Sequence, residues 1–281
     1  MYNKVINYLK DLVNLTKPKL ASLVSLTVAV GAISSPEKIL ISNLILTILG
    51  VHLVIMGTGV FNCLIEKDDD AKMDRTKNRP IPAGRISPIT AFIFGIILTS
   101  FGLFILFFKI NFMSFLLTFL ASFLYLLVYT PLKKKGSSAV FIGSISGALP
   151  PVIGWVSVTQ ELGLMAILLF SIVFIWQIPH TTAIYIYRRK DYNNAGMILC
   201  QTGKDDFKSS GFEILLYTIL LIIIASMPVV LGISSIYYTY FSSIVGALFL
   251  GLAFKGFSLK ERSVEQKLWA RKYFLGSIIY L

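Results

Sequence analysis

The chain has 281 residues, of which 56% are hydrophobic and only 14% are charged. A soluble globular domain of this length needs more charged residues to cover its surface, so the composition excludes one and requires contact with lipid. The formal net charge of +12 is compatible with nucleic acid or with an anionic membrane surface, and the positions of the charges decide between the two.

Apolar runs long enough to cross a bilayer as helices recur along the chain. A bilayer core about 30 Å thick needs roughly 20 apolar residues per helix. None of the runs alternates with the period of two that a barrel strand requires. We therefore predict an all-α, polytopic membrane protein with nine transmembrane helices. The predicted spans are 20–35, 39–64, 89–108, 112–130, 137–158, 162–187, 211–233, 235–254 and 268–281.

The segment before the first apolar run, residues 1–19, carries four lysines and Asp11. No small-residue cleavage site follows that run, so we interpret the segment as a retained cytosolic one and not as a signal peptide. Cys63 and Cys200 fall on the same predicted side of the membrane. If that side is the reducing cytosol, both are free thiols.

The basic residues are concentrated in alternate loops. Apart from Lys38 and Lys109, every Lys and Arg lies in the N-terminal segment or in the ranges 65–88, 131–136, 188–208 and 254–272. Positively charged loops stay on the cytoplasmic side. The pattern predicts a multi-pass plasma-membrane protein with its N-terminus in the cytosol and its C-terminus outside. A nucleic-acid-binding surface would not alternate with apolar runs, so no nucleic-acid partner is expected.

The first candidate for chemistry follows the second span and reads FNCLIEKDDDAKMDRTKNRPIP from Phe61 to Pro82. Steps of four residues separate Asn62, Glu66, Asp70 and Asp74, and on a helix such a spacing places their oxygens on one stripe. Oxygen ligands suit Mg²⁺, which proteins commonly hold through one or two carboxylates together with substrate phosphates. The stripe therefore predicts a magnesium site at the membrane edge.

Cations follow this stripe directly, at Arg75, Lys77 and Arg79. Guanidinium groups match the oxygens of a diphosphate in geometry and charge. The alternative is a solvated helix end whose acids are balanced by adjacent cations. The spacing from an amide at the membrane edge and the string RTKNRP favour a metal and diphosphate site.

A second polar cluster, YRRKDYNNAG from Tyr187 to Gly196, follows the sixth span and contains the carboxylate of Asp191. Four spans lie between the two clusters, so both face the same side of the membrane. If the second and sixth helices are neighbours, Asp191 can join Asn62 and Glu66. We expect a single domain over 1–281, with a weak duplication of spans 1–4 in spans 5–8.

Two further features lie on or near the same side. Tyr129 and Lys133, in VYTPLKKK, end the fourth span, and Lys133 is placed to reach a phosphate, with a topology anchor as the alternative. His52 and His180 lie within the second and sixth spans. Neutral, hydrogen-bonded imidazoles inside a helix bundle explain both histidines, and axial ligation of a heme is the alternative.

These strings resemble a known family. Asn62, Glu66 and Asp70 with RTKNRP resemble the first aspartate-rich motif of the intramembrane aromatic prenyltransferase (UbiA) superfamily. Its heme-modifying branch, the protoheme IX farnesyltransferases, has segments similar to four more strings. They are LTKPK at 15–19, GALPPVIGW at 147–155, WQIPH at 176–180 and KDYNNAGM at 190–197.

The resemblance implies nine helices around a central cavity. It implies that farnesyl diphosphate, or a longer prenyl diphosphate, binds with Mg²⁺ at the cytosolic mouth, and that the 2-vinyl group of heme B is the acceptor. Addition of water then gives heme O, for which a heme A synthase is a candidate receiving partner. Catalytic and metal-binding roles fall on Asn62, Glu66, Asp70 and Asp191.

The remaining candidate residues divide into two groups. Those expected to bind the diphosphate are Lys17, Arg75, Arg79, Lys133 and Lys190. Those with a weaker expectation of touching heme or the prenyl chain, for which ordinary packing is the alternative, are Tyr129, Trp155, Trp176 and His180.

Two positions depart from the pattern. The family's first motif normally has Asp where this chain has Glu66, whose carboxylate reaches one methylene further. The wider superfamily has a second Asp four residues after the first in its second motif, where this chain has Ala195. Asp191 is therefore the sole carboxylate expected from that loop.

Two other functions remain open on the residues. A prenyltransferase acting on a quinone or archaeal lipid precursor would use the same acids, and the strings WQIPH and KDYNNAGM favour heme instead. A transporter normally places ionisable groups near the membrane midplane, whereas here the acids gather at one boundary.

Overall fold

The structure is a computed structural model that describes residues 2–136, 138–197, 207–259 and 263–281. Throughout these ranges the regular structure is helical and contains no strand, which confirms the predicted all-α class. The chain forms two compact units, Met1–Pro131 with Leu149–Ala166, and Leu132–Ala148 with Ile167–Leu281. The single domain and the internal duplication stay predictions.

Thirteen α-helices follow one another in the described chain. They are α1 (Tyr2–Leu15), α2 (Pro18–Ile33), α3 (Ile41–Ile65), α4 (Lys67–Asp70), α5 (Pro88–Ile105), α6 (Phe112–Phe123), α7 (Thr130–Leu132), α8 (Ser138–Thr159), α9 (Leu164–Tyr187), α10 (Arg189–Asn194), α11 (Phe207–Val230), α12 (Ile236–Phe257) and α13 (Val264–Tyr280). Two π-helical segments, Leu106–Ile110 and Leu124–Tyr129, continue α5 and α6.

Among the described residues, seven helices are long and apolar enough to cross a membrane. They are Ile41–Ile65, Pro88–Ile110, Phe112–Leu132, Ser138–Thr159, Leu164–Tyr187, Ser210–Val230 and Ile236–Gly256. The other two predicted spans correspond to the shorter helices α2, of 16 residues, and α13, of 17. The chain is a multi-pass membrane protein, while the count of nine spans and the orientation stay predictions.

Glycines bring the helices of the first unit into close contact. A Cβ added to Gly57 of α3 would collide with Oγ1 of Thr99 on α5, and one added to Gly102 of α5 would crowd the carbonyl oxygen of Gly50 on α3. Without a hydrophobic drive between helices in lipid, such small residues allow the backbone approach on which packing depends. The contact fixes α3, whose last turn carries Asn62.

The same device joins α2 to the second half of α8. A Cβ on Gly31 would overlap the carbonyl oxygen of Pro151, and one on Gly154 would overlap that of Val28. Each helix therefore presents a glycine to the backbone of the other. Cys63, in the last turn of α3 and beside Leu15 of α1, is buried and free, whereas Cys200 lies outside the described residues.

Gly154→Ala is expected to lower the melting temperature of the detergent-solubilised protein. The added methyl group must push α8 away from the Val28 carbonyl, and overpacking of this kind costs about 1–3 kcal/mol. Gly251→Ala is the matched control, because a Cβ there meets nothing within 4 Å. Equal melting temperatures for the two variants would contradict the close packing of α2 and α8.

Candidate active site

Three polar side chains of the predicted stripe, those of Asn62, Glu66 and Asp70, lie along the end of α3 and into α4. The amide of Glu66 donates to the carbonyl of Asn62 at 3.0 Å, and the amide of Asp70 donates to the carbonyl of Glu66 at 2.8 Å. The four-residue helical spacing is therefore continuous across the α3–α4 junction. All three side chains are buried.

The stripe ends at Asp70. After α4 the chain turns without regular helix as far as Ser87, and Asp74 is exposed and pairs with Lys77 at 2.9 Å. The prediction that Asp74 belongs to the stripe is wrong. Three acids in a row followed by Ala71 do not by themselves mark where a helix ends, so the spacing alone did not reveal the break.

Asn62 is held at both ends of its amide. Its Oδ1 accepts a hydrogen bond from Nζ of Lys17 at 2.5 Å, and its Nδ2 donates to Oγ1 of Thr130 at 3.2 Å. The hydroxyl of Thr130 in turn donates to the carbonyl of Tyr125 at 2.8 Å. That carbonyl belongs to the π-helical segment Leu124–Tyr129. Helical insertions of this type often occur at functional sites.

Lys17 adopts a left-handed backbone conformation, with φ 51° and ψ 56°. Such a conformation costs about 1–3 kcal/mol in a residue other than glycine and persists where surrounding contacts enforce it. Here Pro18 opens α2 immediately after Lys17, and the turn aims the ammonium group at Asn62. The strained turn therefore places a cation beside the stripe.

Asp70 and Arg79 form an ion pair, with Nη1 and Oδ2 2.5 Å apart. Asp70 is 1% exposed, and its backbone carbonyl accepts from Oγ1 of Thr76 at 2.9 Å. Burial on its own lowers the pKa of Arg79, but the negative charges of Asp70 and Glu66 outweigh it and the net pKa is raised. Arg79 therefore remains a cation at every physiological pH.

The residues of this first unit fit a magnesium ion in one respect that the structure records directly. Oδ1 of Asp70 is buried and has no hydrogen-bond partner among the described residues. An orphaned carboxylate oxygen of this kind is costly unless another group satisfies it. No three His, Cys, Asp or Glu side chains of the described chain converge as a ready-made metal cluster.

The second cluster lies in the second unit. Asp191 is 8% exposed, in the short helix α10 that follows α9. The neighbouring Lys190 is exposed, and Lys133 is buried. The hydroxyl of Tyr185 donates to Oδ1 of Asn193 at 3.3 Å, which ties α10 to the end of α9. The convergence of Asp191 with the stripe stays a prediction.

The other candidates occupy varied positions. Arg75 is exposed, and the ring of Tyr129 packs against that of Tyr125 with centroids 5.5 Å apart and an interplanar angle of 37°. The indole N–H of Trp155 donates to the carbonyl of Glu161 at 3.0 Å, so this ring is fixed near the C-terminal end of α8. Trp176 and His180 stack on one another within α9.

Sequence reasoning missed several polar residues. Thr130 and Thr76 anchor the stripe, yet isolated threonines carry no signal in a sequence. Glu213, a carboxylate inside α11, is 5% exposed and accepts from Oγ1 of Thr182 on α9 at 2.7 Å. An acidic residue within an apolar span is itself a signal of function, but a position near the start of a span is also where an ordinary solvated acid lies.

Membrane-spanning helices that end in buried carboxylates and cations fit an intramembrane prenyltransferase. The model of the UbiA prenyltransferase family matches residues 22–278. The chain belongs to this family.

Two curated relatives that it resembles are named for the same activity. Protoheme IX farnesyltransferase of Anaeromyxobacter dehalogenans is 37% identical over 98% of this chain and 91% of its own length. Protoheme IX farnesyltransferase of Aquifex aeolicus is 38% identical over 98% of this chain and 92% of its own length.

Solved structures share the fold. A digeranylgeranylglyceryl phosphate synthase has a TM-score of 0.75 at 22% identity, covering 97% of this chain and 98% of its own. A UbiA homologue from Archaeoglobus fulgidus, bound to GPP and Mg²⁺, has a TM-score of 0.73 at 17% identity, covering 96% of both chains.

Arg79→Met is expected to destabilise the protein, because it leaves the buried Asp70 carboxylate without its cation. Breaking a buried pair in this way costs about 3–5 kcal/mol, and less here because Arg79 is 27% exposed. Thermal unfolding in detergent measures the effect. Lys77→Met, which breaks the exposed pair with Asp74, is the control and should leave the melting temperature unchanged. Equal losses in both variants would show that the Asp70 pair is not buried.

Proposed function

We propose that the protein transfers a farnesyl group from farnesyl diphosphate to the 2-vinyl group of heme B, with addition of water, and so makes heme O. The observation that best supports this proposal is the buried carboxylate of Asp70. One of its oxygens pairs with Arg79, and the other has no hydrogen-bond partner among the described residues. Full-length relatives named for this reaction, at 37% and 38% identity, support the choice of substrates.

The reaction breaks the bond between the allylic carbon and the diphosphate oxygen, and the electron pair leaves with the diphosphate. The π electrons of the vinyl group form the new carbon–carbon bond to the allylic carbon. The positive charge left on the vinyl carbon beside the porphyrin is captured by water, which then loses a proton. The products are the hydroxyethylfarnesyl heme, diphosphate and one proton.

The chain's own residues would act mainly on the leaving group. Asn62, Glu66 and Asp70, with Asp191 from the second unit, would hold Mg²⁺. When bound, this ion neutralises charge on the departing diphosphate. The orphaned Oδ1 of Asp70 supports its assignment as a direct ligand.

Cations would complete the diphosphate site. Lys17 already lies beside Asn62, and Arg79 beside Asp70. An amide oxygen has two acceptor positions, so Asn62 could bind Lys17 and a metal together. The buried Lys133 and the exposed Arg75 and Lys190 are proposed to contact the outer oxygens. Their positive charges would balance the negative charge of the bound diphosphate.

The proposed setting is the plasma membrane, with the N-terminus and both polar clusters on the cytosolic side. The alternation of basic loops supports this orientation. A site at the membrane edge lets a charged diphosphate remain near water while its prenyl chain lies among apolar helices. A heme A synthase is a proposed receiver of the product.

A product assay tests the proposed reaction. Membranes that carry the protein are given heme B, Mg²⁺ and either farnesyl or geranylgeranyl diphosphate, and the hemes are separated by chromatography and identified by mass. We expect a heme that has gained one prenyl group and one water. Prenylation of a quinone or lipid precursor, with heme unchanged, would reject the acceptor while leaving the family's chemistry intact.

Asp70→Asn and Asp191→Asn should each reduce turnover by about 100-fold or more, because each removes a negative oxygen from the magnesium and diphosphate site. Asp68→Asn, on the exposed face of the same short helix as Asp70, is the matched control and should retain activity. Membrane insertion and thermal unfolding are measured in parallel. Full activity in either Asp70→Asn or Asp191→Asn would remove that residue from the site.

A further inference from the structure

The imidazole of His180 is held by several contacts inside the second unit. Its Nδ1 lies 2.7 Å from Oγ of Ser277, on α13. The ring stacks on Trp176, with centroids 4.4 Å apart and an interplanar angle of 26°, and lies 5.1 Å from the ring of Phe274. The indole N–H of Trp176 donates to the backbone carbonyl of Ser277 at 2.7 Å. A single residue of α13 therefore fixes both rings.

These contacts also determine which nitrogen carries the proton. The hydroxyl of Ser277 donates its one proton to the carbonyl of Phe274, at 2.7 Å. It can then only accept from His180, so Nδ1 bears the hydrogen and Nε2 keeps its lone pair. Within the described chain, Nε2 makes no hydrogen bond. The result is a rigid, neutral imidazole that presents an unused nitrogen inside a membrane-spanning helix.

The other histidine provides an internal comparison. Nδ1 of His52 lies 2.8 Å from Oγ of Ser25, a similar pair in the first unit. The described residues offer no carbonyl that takes the proton of Ser25, so this hydroxyl is available to donate to the ring. The tautomer of His52 is therefore not fixed, and no aromatic ring of the described chain stacks on it. Only His180 has the arrangement expected of a ligand whose orientation matters.

We propose that Nε2 of His180 is an axial ligand to the iron of the heme acceptor, with Ser277 as the residue that positions it. This rests on the proposed function, in which heme B is the acceptor. Histidines that bind metals donate their other ring N–H to a fixed acceptor, which sets the tautomer and raises the basicity of the ligand. Heme iron is commonly bound by such an imidazole.

The depth of His180 suits this role. It lies seven residues before the end of α9 at Tyr187, which is roughly 10 Å along a helix. Asp191 follows just beyond that end, on α10. An iron bound at His180 would lie about that far along α9 from Asp191, which is proposed to help hold the diphosphate. Iron ligation would thus set the distance between the vinyl group and its electrophile.

Heme-binding spectroscopy on the purified full-length protein tests the proposal without any prenyl diphosphate. Ferric heme is titrated into wild-type protein and His180→Ala, and absorption and electron paramagnetic resonance spectra are recorded. Wild type should give a histidine-ligated spectrum. His180→Ala should lose it, and added imidazole should restore it. Ser277→Ala should weaken heme binding by about 10-fold or more, since it removes the orienting acceptor. His52→Ala is the matched control and should match wild type.

Each outcome decides the proposal. A His180→Ala spectrum identical to that of wild type overturns it, as does an equal effect of His52→Ala. If His180→Ala does not fold, His180→Cys replaces it, and the absence of a thiolate-ligated spectrum overturns the proposal. The product assay on wild type separates the two levels. If wild type prenylates heme but the His180→Ala spectrum matches that of wild type, only the role of His180 is rejected. If wild type shows histidine ligation but makes no prenylated heme, the proposed reaction is rejected.

Discussion

A bilayer interior offers no water to a charged group, and this constraint governs where the chemistry of the protein can lie. The buried carboxylates Glu66, Asp70 and Asp191 all lie at or just beyond the end of a membrane-spanning helix. There a carboxylate can find a cation without crossing the apolar region. The Asp70–Arg79 pair is the clearest case, since an uncompensated carboxylate so fully buried would cost several kcal/mol. The turn after α4 brings Arg79 back to Asp70.

The apolar bundle positions the polar groups through backbone contacts. Glycines of α3 and α5 allow these two helices to approach closely. Glycines of α2 and α8 likewise bring the backbones of those two helices together. Because lipid does not force helices together, their association depends on this close fit. It fixes the last turn of α3, and with it Asn62. The π-helical segment before Thr130 then places a hydroxyl against the other side of the same amide.

The two polar arrangements differ in what they can bind. The stripe on α3 and α4 combines oxygen ligands with cations and suits a metal and a diphosphate. The group around His180 is neutral, aromatic and deep within a span, and suits a large flat ligand with a metal at its centre. A transferase that joins a charged donor to a porphyrin needs both environments. The charged one must stay near water, because a charge in the apolar interior of a membrane is costly.

The sequence alone determined the helical class, the approximate positions of the seven long apolar helices and the acidic residues near the ends of two of them. Apolar length and four-residue spacing are local properties of a chain. It also indicated the family through short strings such as RTKNRP. It did not determine that the stripe ends at Asp70 or that Arg79 pairs with this carboxylate. Nor did it determine that Thr130, Ser277 and Glu213 have buried partners. These facts depend on which distant residues meet, as when Ser277 meets His180 from 97 positions away. Only the packing of helices against one another decides such pairs, since a hydrogen bond between helices leaves no periodicity in the sequence.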